Sequence, residues 1–77
     1  MTTVRIGSGM AKNVLEVLEW LDENIGEFHR RHMSTSWTTS YYGEGWEARW
    51  HSAWPGWFMD VTFDDPKHAV FFTLRWK

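Results

Sequence analysis

The stretch GEGWEARWHSAWPGWF, residues 43–58, carries tryptophans at 46, 50, 54 and 57 and restricts the fold more than any other part of the chain. Spacings of four, four and three suit one face of an α-helix, but 46, 50 and 54 also share one side of a β-strand. The neighbours decide between the two. Glu47, Arg49 and His51 alternate with Trp46, Ala48 and Trp50, which is the apolar/polar period of a half-buried strand. Gly45 on one side and Pro55 with Gly56 on the other would leave a helix of about nine residues, at the short end of the globular range, and the segment that follows breaks the tie. After the Pro-Gly pair, Trp57, Met59, Val61 and Phe63 alternate against Phe58, Asp60 and Thr62. The expectation is a strand over residues 46–52, a turn, and a second strand.

The flanks are read in the same way. Val14, Val17, Leu18, Leu21, Ile25 and Phe28 recur at helical spacing across from Lys12, Glu16, Glu19 and Glu23. That predicts an amphipathic helix from about residue 10, with Ser8 as N-cap and an end between Ile25 and His32. Residues 34–42 (STSWTTSYY) read as a strand closed by a Gly43, Glu44, Gly45 turn. Residues 69–76 (AVFFTLRW) alternate Val70, Phe72, Leu74 and Trp76 against Ala69, Phe71, Thr73 and Arg75. They read as a last strand, joined to the previous one by a turn over residues 64–68. Residues 1–9 are either a short edge strand built on Thr3–Val4–Arg5–Ile6 or a flexible tail.

The fold class expected is therefore α+β: one domain over residues 1–77, an N-terminal amphipathic helix on a four-stranded antiparallel meander, in two layers. Its inner face would hold Trp37, Tyr41, Trp46, Ala48, Trp50, Met59, Val61, Phe63, Val70, Phe72, Leu74 and Trp76. Pairing Val61 with Phe72 would put an Asp60–Arg75 contact on the outer face.

A chain of 77 residues without cysteine has neither disulfides nor thiolate metal sites to supplement a small core. Seven tryptophans, five phenylalanines and two tyrosines compensate, since each aromatic buries roughly 150–250 Å² when packed. A net charge of −2 supplies no drive toward nucleic acid or anionic membrane, so both are disfavoured as partners. With no long apolar run and no cysteine, the expected location is the cytoplasm.

Chemistry finds little support. His29 and His32, three apart, would lie on adjacent turns if helical but lack a third ligand. Asp64 and Asp65 sit in a turn, where Asp bonds local backbone. The hydroxyls of residues 34–40 have no adjacent base in a known motif. No catalytic residue, metal or cofactor is expected, and the chain is read as no enzyme. Binding explains the aromatics better, because they outnumber what one inner face can bury. Phe58 and Phe71 would share the outer face with Arg49 and Arg75, while Trp54 and Trp57 flank the Pro-Gly corner. Aromatics mixed with arginine have the composition of an interface hot spot. The functional expectation is a small non-enzymatic protein-interaction module, a regulator or inhibitor of the kind that phages and other mobile elements encode. That last step is an analogy of size and composition. Two alternatives stand beside it: a single-stranded nucleic-acid binder using sheet aromatics, and a homodimeric structural subunit.

Overall fold

A computed structural model describes residues 1–33 and 37–77. The elements run β1 (Thr2–Gly7), α1 (Val14–Asn24), β2 (Phe28–Met33), β3 (Thr38–Gly43), β4 (Trp46–Ala53), β5 (Gly56–Phe63) and α2 (Pro66–Trp76). The strands form one antiparallel sheet in the order β1-β5-β4-β3-β2. Strands β2 to β5 are a meander of successive neighbours. The N-terminal strand closes onto β5 at the far edge, pairing Val4 with Val61 and Ile6 with Met59. The class is α+β and the sheet is antiparallel, as expected, but the described residues form five strands and two helices where the sequence led to four strands and one helix.

The tryptophan stretch folds as its alternation requires. Trp46 and Ala48 are buried, Glu47, Arg49 and His51 face the other way, and Trp50 is half-buried toward the core. Trp46 is held by more than burial. Its Nε1 donates to the Gly26 carbonyl at 2.8 Å, and its indole lies against Gly43, its cross-strand partner. A Cβ on Gly43 would fall 2.2–2.4 Å from that ring, so glycine is what lets the indole approach the backbone. The following turn depends on Gly45, whose φ of 80° lies in the left-handed region.

Helix α1 starts at Val14, later than the periodicity implies. Asn13, and not Ser8, is the N-cap, its side chain accepting from the Glu16 amide at 3.0 Å. Ile25 is the C-cap. The chain then turns at Gly26, where a Cβ would meet the Glu44 carbonyl oxygen at 1.9 Å.

Two segments depart from expectation. Phe28, which the periodicity placed on the apolar side of the helix, and the stretch up to His32, where that helix was expected to end, lie instead in the edge strand β2 (Phe28–Met33), every residue of it exposed. The expected strand at residues 69–76 is the helix α2. Its start carries a helix signal: Asp65 is the N-cap, accepting from the Lys67 amide at 2.9 Å, and Pro66 opens the first turn. Only Ala69, Phe72 and Trp76 of this segment are buried, at spacings of three and four, while Val70 and Leu74 face solvent. Trp37 is likewise 69 % exposed, outside the core that its phase with Tyr41 suggested. Residues 34–36 of the expected first strand lie outside the described residues.

Both helices pack on one face of the sheet. Met59, Val61 and Phe63 of β5 meet Val17, Leu18 and Leu21 of α1 and Phe72 of α2 in a single core, with Ile6 from β1. Trp20 joins the helices, its ring centroid 5.2 Å from Phe71, 5.8 Å from Phe72 and 6.5 Å from Trp76. At about 25 cal/mol per Å² of apolar surface, such rings supply most of the stabilisation available to so short a chain.

Candidate functional site

Among the described residues no element covers the opposite face of the sheet. Strand period alone puts Arg5, Phe58, Asp60, Arg49, His51 and Tyr42 there. Phe58 is its centre. The His51 ring, directly across from it on β4, stacks on Phe58 at 4.7 Å between centroids and 21° between planes. The Arg5 guanidinium sits over the Phe58 ring, 4.3 Å from its centroid. Arg5 also forks onto Asp60, with Nε to Oδ1 at 2.7 Å and Nη2 to Oδ2 at 3.1 Å. This bidentate contact holds the Asp60 carboxyl below the usual carboxylate range, first through the hydrogen bonds and then through the charges of Arg5, His51 and Arg49. Toward β2 the pattern repeats, with the Arg30 guanidinium 4.6 Å from the Tyr42 ring centroid. An aromatic ring with a cation on its exposed side thus occurs twice on this face.

The six residues read from the sequence do not form one site. Phe58 and Arg49 belong to the open face, as their strand phase indicates. Trp54 stands at the tip of the β4–β5 hairpin, 94 % exposed, beside a cis Trp54–Pro55 peptide. Trp57 turns inward and packs half-buried against the core. Phe71 and Arg75 are on α2, behind the sheet, where Phe71 packs on Trp20 and Arg75 lies over Trp76 with Glu16 nearby at 3.9 Å. The expected Asp60–Arg75 contact is therefore replaced by Asp60–Arg5, because β1 and not the C-terminal segment lies beside β5. Arg5 and His51, which flank Phe58, were not among those six, although the strand alternation already put His51 on the outer face with Arg49. The signal for His51 was its place two residues from Arg49 on one strand; Arg5 depended on a pairing across more than fifty residues.

The histidines do not gather. His29 is on β2 with Glu44 at 3.7 Å, and β2 is irregular between Phe28 and Arg30, so His29 and His32 are not on adjacent helical turns. Among the described residues no group of three His, Cys, Asp or Glu side chains could hold a metal ion. Thr38 Oγ1 and His51 Nδ1 are 3.4 Å apart, near the limit for a hydrogen bond, and the Asp60 carboxylate within electrostatic reach of His51 is already engaged by Arg5. Thr38 and His51 are cross-strand partners on β3 and β4.

A second concave region opens between α1 and β2, about 450 Å³ in volume, with Leu15, Leu18, Phe28 and Tyr41 on its walls and Glu19, Asp22, Glu27 and Arg31 around it. Burial there pushes the Tyr41 phenol up in pKa, partly offset by Arg31. No helix of the described residues is long and apolar enough to cross a membrane. Comparison with known protein families, with curated proteins and with solved structures found no match to this chain.

Proposed function

We propose that the chain is a small non-enzymatic protein-interaction module that grips another protein with the open face of its sheet. The observation that supports this most is Phe58, a large ring on an interior strand, flanked by His51 and Arg5 with none of the described elements over it. Rings and guanidiniums fixed in this way lose little conformational entropy on binding, and they are the residue types that dominate interface energetics. Trp54, at the hairpin tip of the same two strands, extends the surface that a partner would cover. A role as a regulator or inhibitor, of the sort that mobile elements encode, fits a small module that presents such a surface.

Single-stranded nucleic acid is the second reading, and one structural feature favours it. His29, Arg30, Arg31 and His32 are all exposed on the edge strand next to the face that carries Tyr42. The net charge of −2, and Asp60 and Glu47 beside Arg5 and Arg49, weigh against it. The test captures partners on immobilised chain, with and without nuclease, comparing wild type with Phe58→Ala and Arg49→Ala. Nuclease-resistant capture that both substitutions weaken, in variants that still fold, is the expected result. Capture lost on nuclease treatment would move the reading to nucleic acid, and capture indifferent to both substitutions would remove the open face from the function.

A further inference from the structure

The two edges of the sheet differ in a way that points to a partner. Each edge strand presents a row of backbone groups unpaired by the sheet, which another strand can take up unless side chains prevent it. On β2 they do: His29, Arg30, Arg31 and His32 put charge and bulk along that edge. On β1 the only ionic residue is Arg5, whose guanidinium is turned onto Asp60 and Phe58 across the open face. Above β1, on the helix side, an apolar cleft of about 330 Å³ is lined by Val4, Pro66, Ala69, Val70 and Leu74. Val70 and Leu74 are 61 % and 79 % exposed. This wall is one strand edge and one helix flank, with no charged side chain among the described residues that line the cleft.

We propose that this wall binds a second copy of the same chain, β1 pairing antiparallel with β1 of the partner so that two five-stranded sheets become one of ten strands. The hydrogen-bond phase fixes the register. The Ser8 amide donates to the Trp57 carbonyl, and Gly7 pairs with Phe58, so the even-numbered residues of β1 direct their backbone groups at β5. Thr3 and Arg5 therefore direct theirs outward, while the Gly7 carbonyl is already taken by the Met10 amide. A two-fold axis at Val4 joins Thr3 of each copy to Arg5 of the other through reciprocal N–H to carbonyl bonds. It also makes Val4 face its own counterpart as a non-hydrogen-bonded pair, the closer kind, with Cα atoms about 4.5 Å apart. Centring the axis on Arg5 instead would set two guanidiniums directly opposite, which like-charge repulsion disfavours. In the Val4 register the inner side of the new strand pair lies under Val70 and Leu74 of both copies, which close over it.

The size of the wall agrees with a second copy as occupant. Six residues of strand span about 20 Å, and a sheet edge plus a helix layer stands about 20 Å high, so each copy offers roughly 400 Å² in projection. Accessible area exceeds projection on a wall of side chains, which brings the pair to about 1,000 Å², where specific but weak association begins. A self-complementary patch of this kind also meets the requirement of a closed two-fold interface.

The test exploits the absence of cysteine. Val4→Cys would place two thiols across the axis within the Cα separation a disulfide allows, so mild oxidation should link the copies. Leu15→Cys, 64 % exposed on α1, measures the background of random collision. Wild type in sedimentation equilibrium should shift from 9.2 kDa toward twice that mass with rising concentration in the micromolar range. Leu74→Lys, at a position too exposed to affect folding, should return it to monomer and abolish the Val4→Cys link while the thermal melt is unchanged. A wild-type mass that stays at 9.2 kDa overturns the proposal. So does a dimer in which Val4→Cys links no faster than Leu15→Cys, because that dimer uses another surface. Neither result bears on the open face, whose capture test is separate.

Discussion

The two faces of the sheet use the same kinds of residue for opposite purposes. On the helix side, Phe63 meets Phe72 at 5.3 Å and Phe72 meets Trp76 at 6.4 Å, ring against ring, all nearly or fully buried. On the open side Phe58 meets an imidazole and a guanidinium, and Tyr42 meets another guanidinium. An aromatic packed on apolar neighbours contributes by leaving water. One capped by cations keeps a hydrated outer surface and can exchange that hydration for a partner. A guanidinium alone does not mark the open face, since Arg75 also lies over the buried Trp76 ring. What separates the two faces is the ring-on-ring packing under the helices, and substitutions on the two faces should separate folding from binding.

The largest effect belongs to the covered face. Phe63→Ala removes a fully buried ring from the junction of sheet and α2, and should cost about 3–5 kcal/mol in denaturant unfolding. At about 0.05–0.15 kcal/mol per residue, a chain of 77 residues holds about 4–12 kcal/mol, so the variant should lose a large share of its stability and melt far below wild type. A cooperative melt close to wild type would mean that the core does not depend on this face. Gly26→Ala should approach the same severity through the backbone. Its Cβ would meet the Glu44 carbonyl at 1.9 Å, and relief would pull Gly26 away from the Trp46 indole that its carbonyl accepts. The check is the near-ultraviolet signal of the tryptophans together with the melting temperature.

How much of this was legible follows from which residues carry a one-sided pattern. The β4–β5 hairpin was legible because Trp46 and Ala48, then Met59, Val61 and Phe63, alternate with polar residues on strands buried on one face. Helix α2 was misread because Val70, Phe72, Leu74 and Trp76 happen to alternate. Its true apolar line is Ala69, Phe72 and Trp76, and the Asp65–Pro66 start was taken for a turn. Strand β2 could not be found by periodicity, since an edge strand exposed on every residue has no buried side to register. The candidate site divided along the same line. Phe58 and Arg49 follow from local strand phase, whereas Phe71 and Arg75 were carried to the wrong side of the sheet with the misread helix. The cation on Phe58 comes from Arg5, and no local pattern shows that β1 returns to pair with β5.

On the open face the expected balance is reversed. Phe58→Ala should lower stability by about 1 kcal/mol, the value of its aromatic and cation contacts on a surface that stays partly wet. Partner capture should fall about 30-fold, the equivalent of a 2 kcal/mol hot spot. Trp54→Ala should leave stability within about 0.5 kcal/mol, because the indole is 94 % exposed, so any loss of capture reports binding alone. If Phe58→Ala unfolds the chain as Phe63→Ala does, the contrast between the faces fails and Phe58 is part of the fold.

The smallest effect tests whether the cations of the open face are fixed before a partner arrives. The Asp60 carboxyl is held below its ordinary value chiefly by the Arg5 hydrogen bonds, so the folded chain takes up this proton less readily than the unfolded one. The unfolded state then binds more protons around the ordinary Asp pKa of about 3.9, and stability rises with pH across that range. The contribution is complete above it and is lost as pH falls through the lower folded value. Arg5 is largely exposed, so the size should be small, as for other solvated ion pairs. The expected observation is a modest fall in melting temperature on acidification below about pH 4 that Asp60→Asn reduces and that added salt weakens. Because Arg5 reaches both Asp60 and Phe58, the same acidification should free the guanidinium from its fork and loosen its place over the ring. Proton chemical shifts of the Phe58 ring should therefore follow the Asp60 titration in wild type and stay flat in Asp60→Asn. Ring shifts that ignore Asp60 altogether would show that Arg5 is placed by the ring and not by the carboxylate.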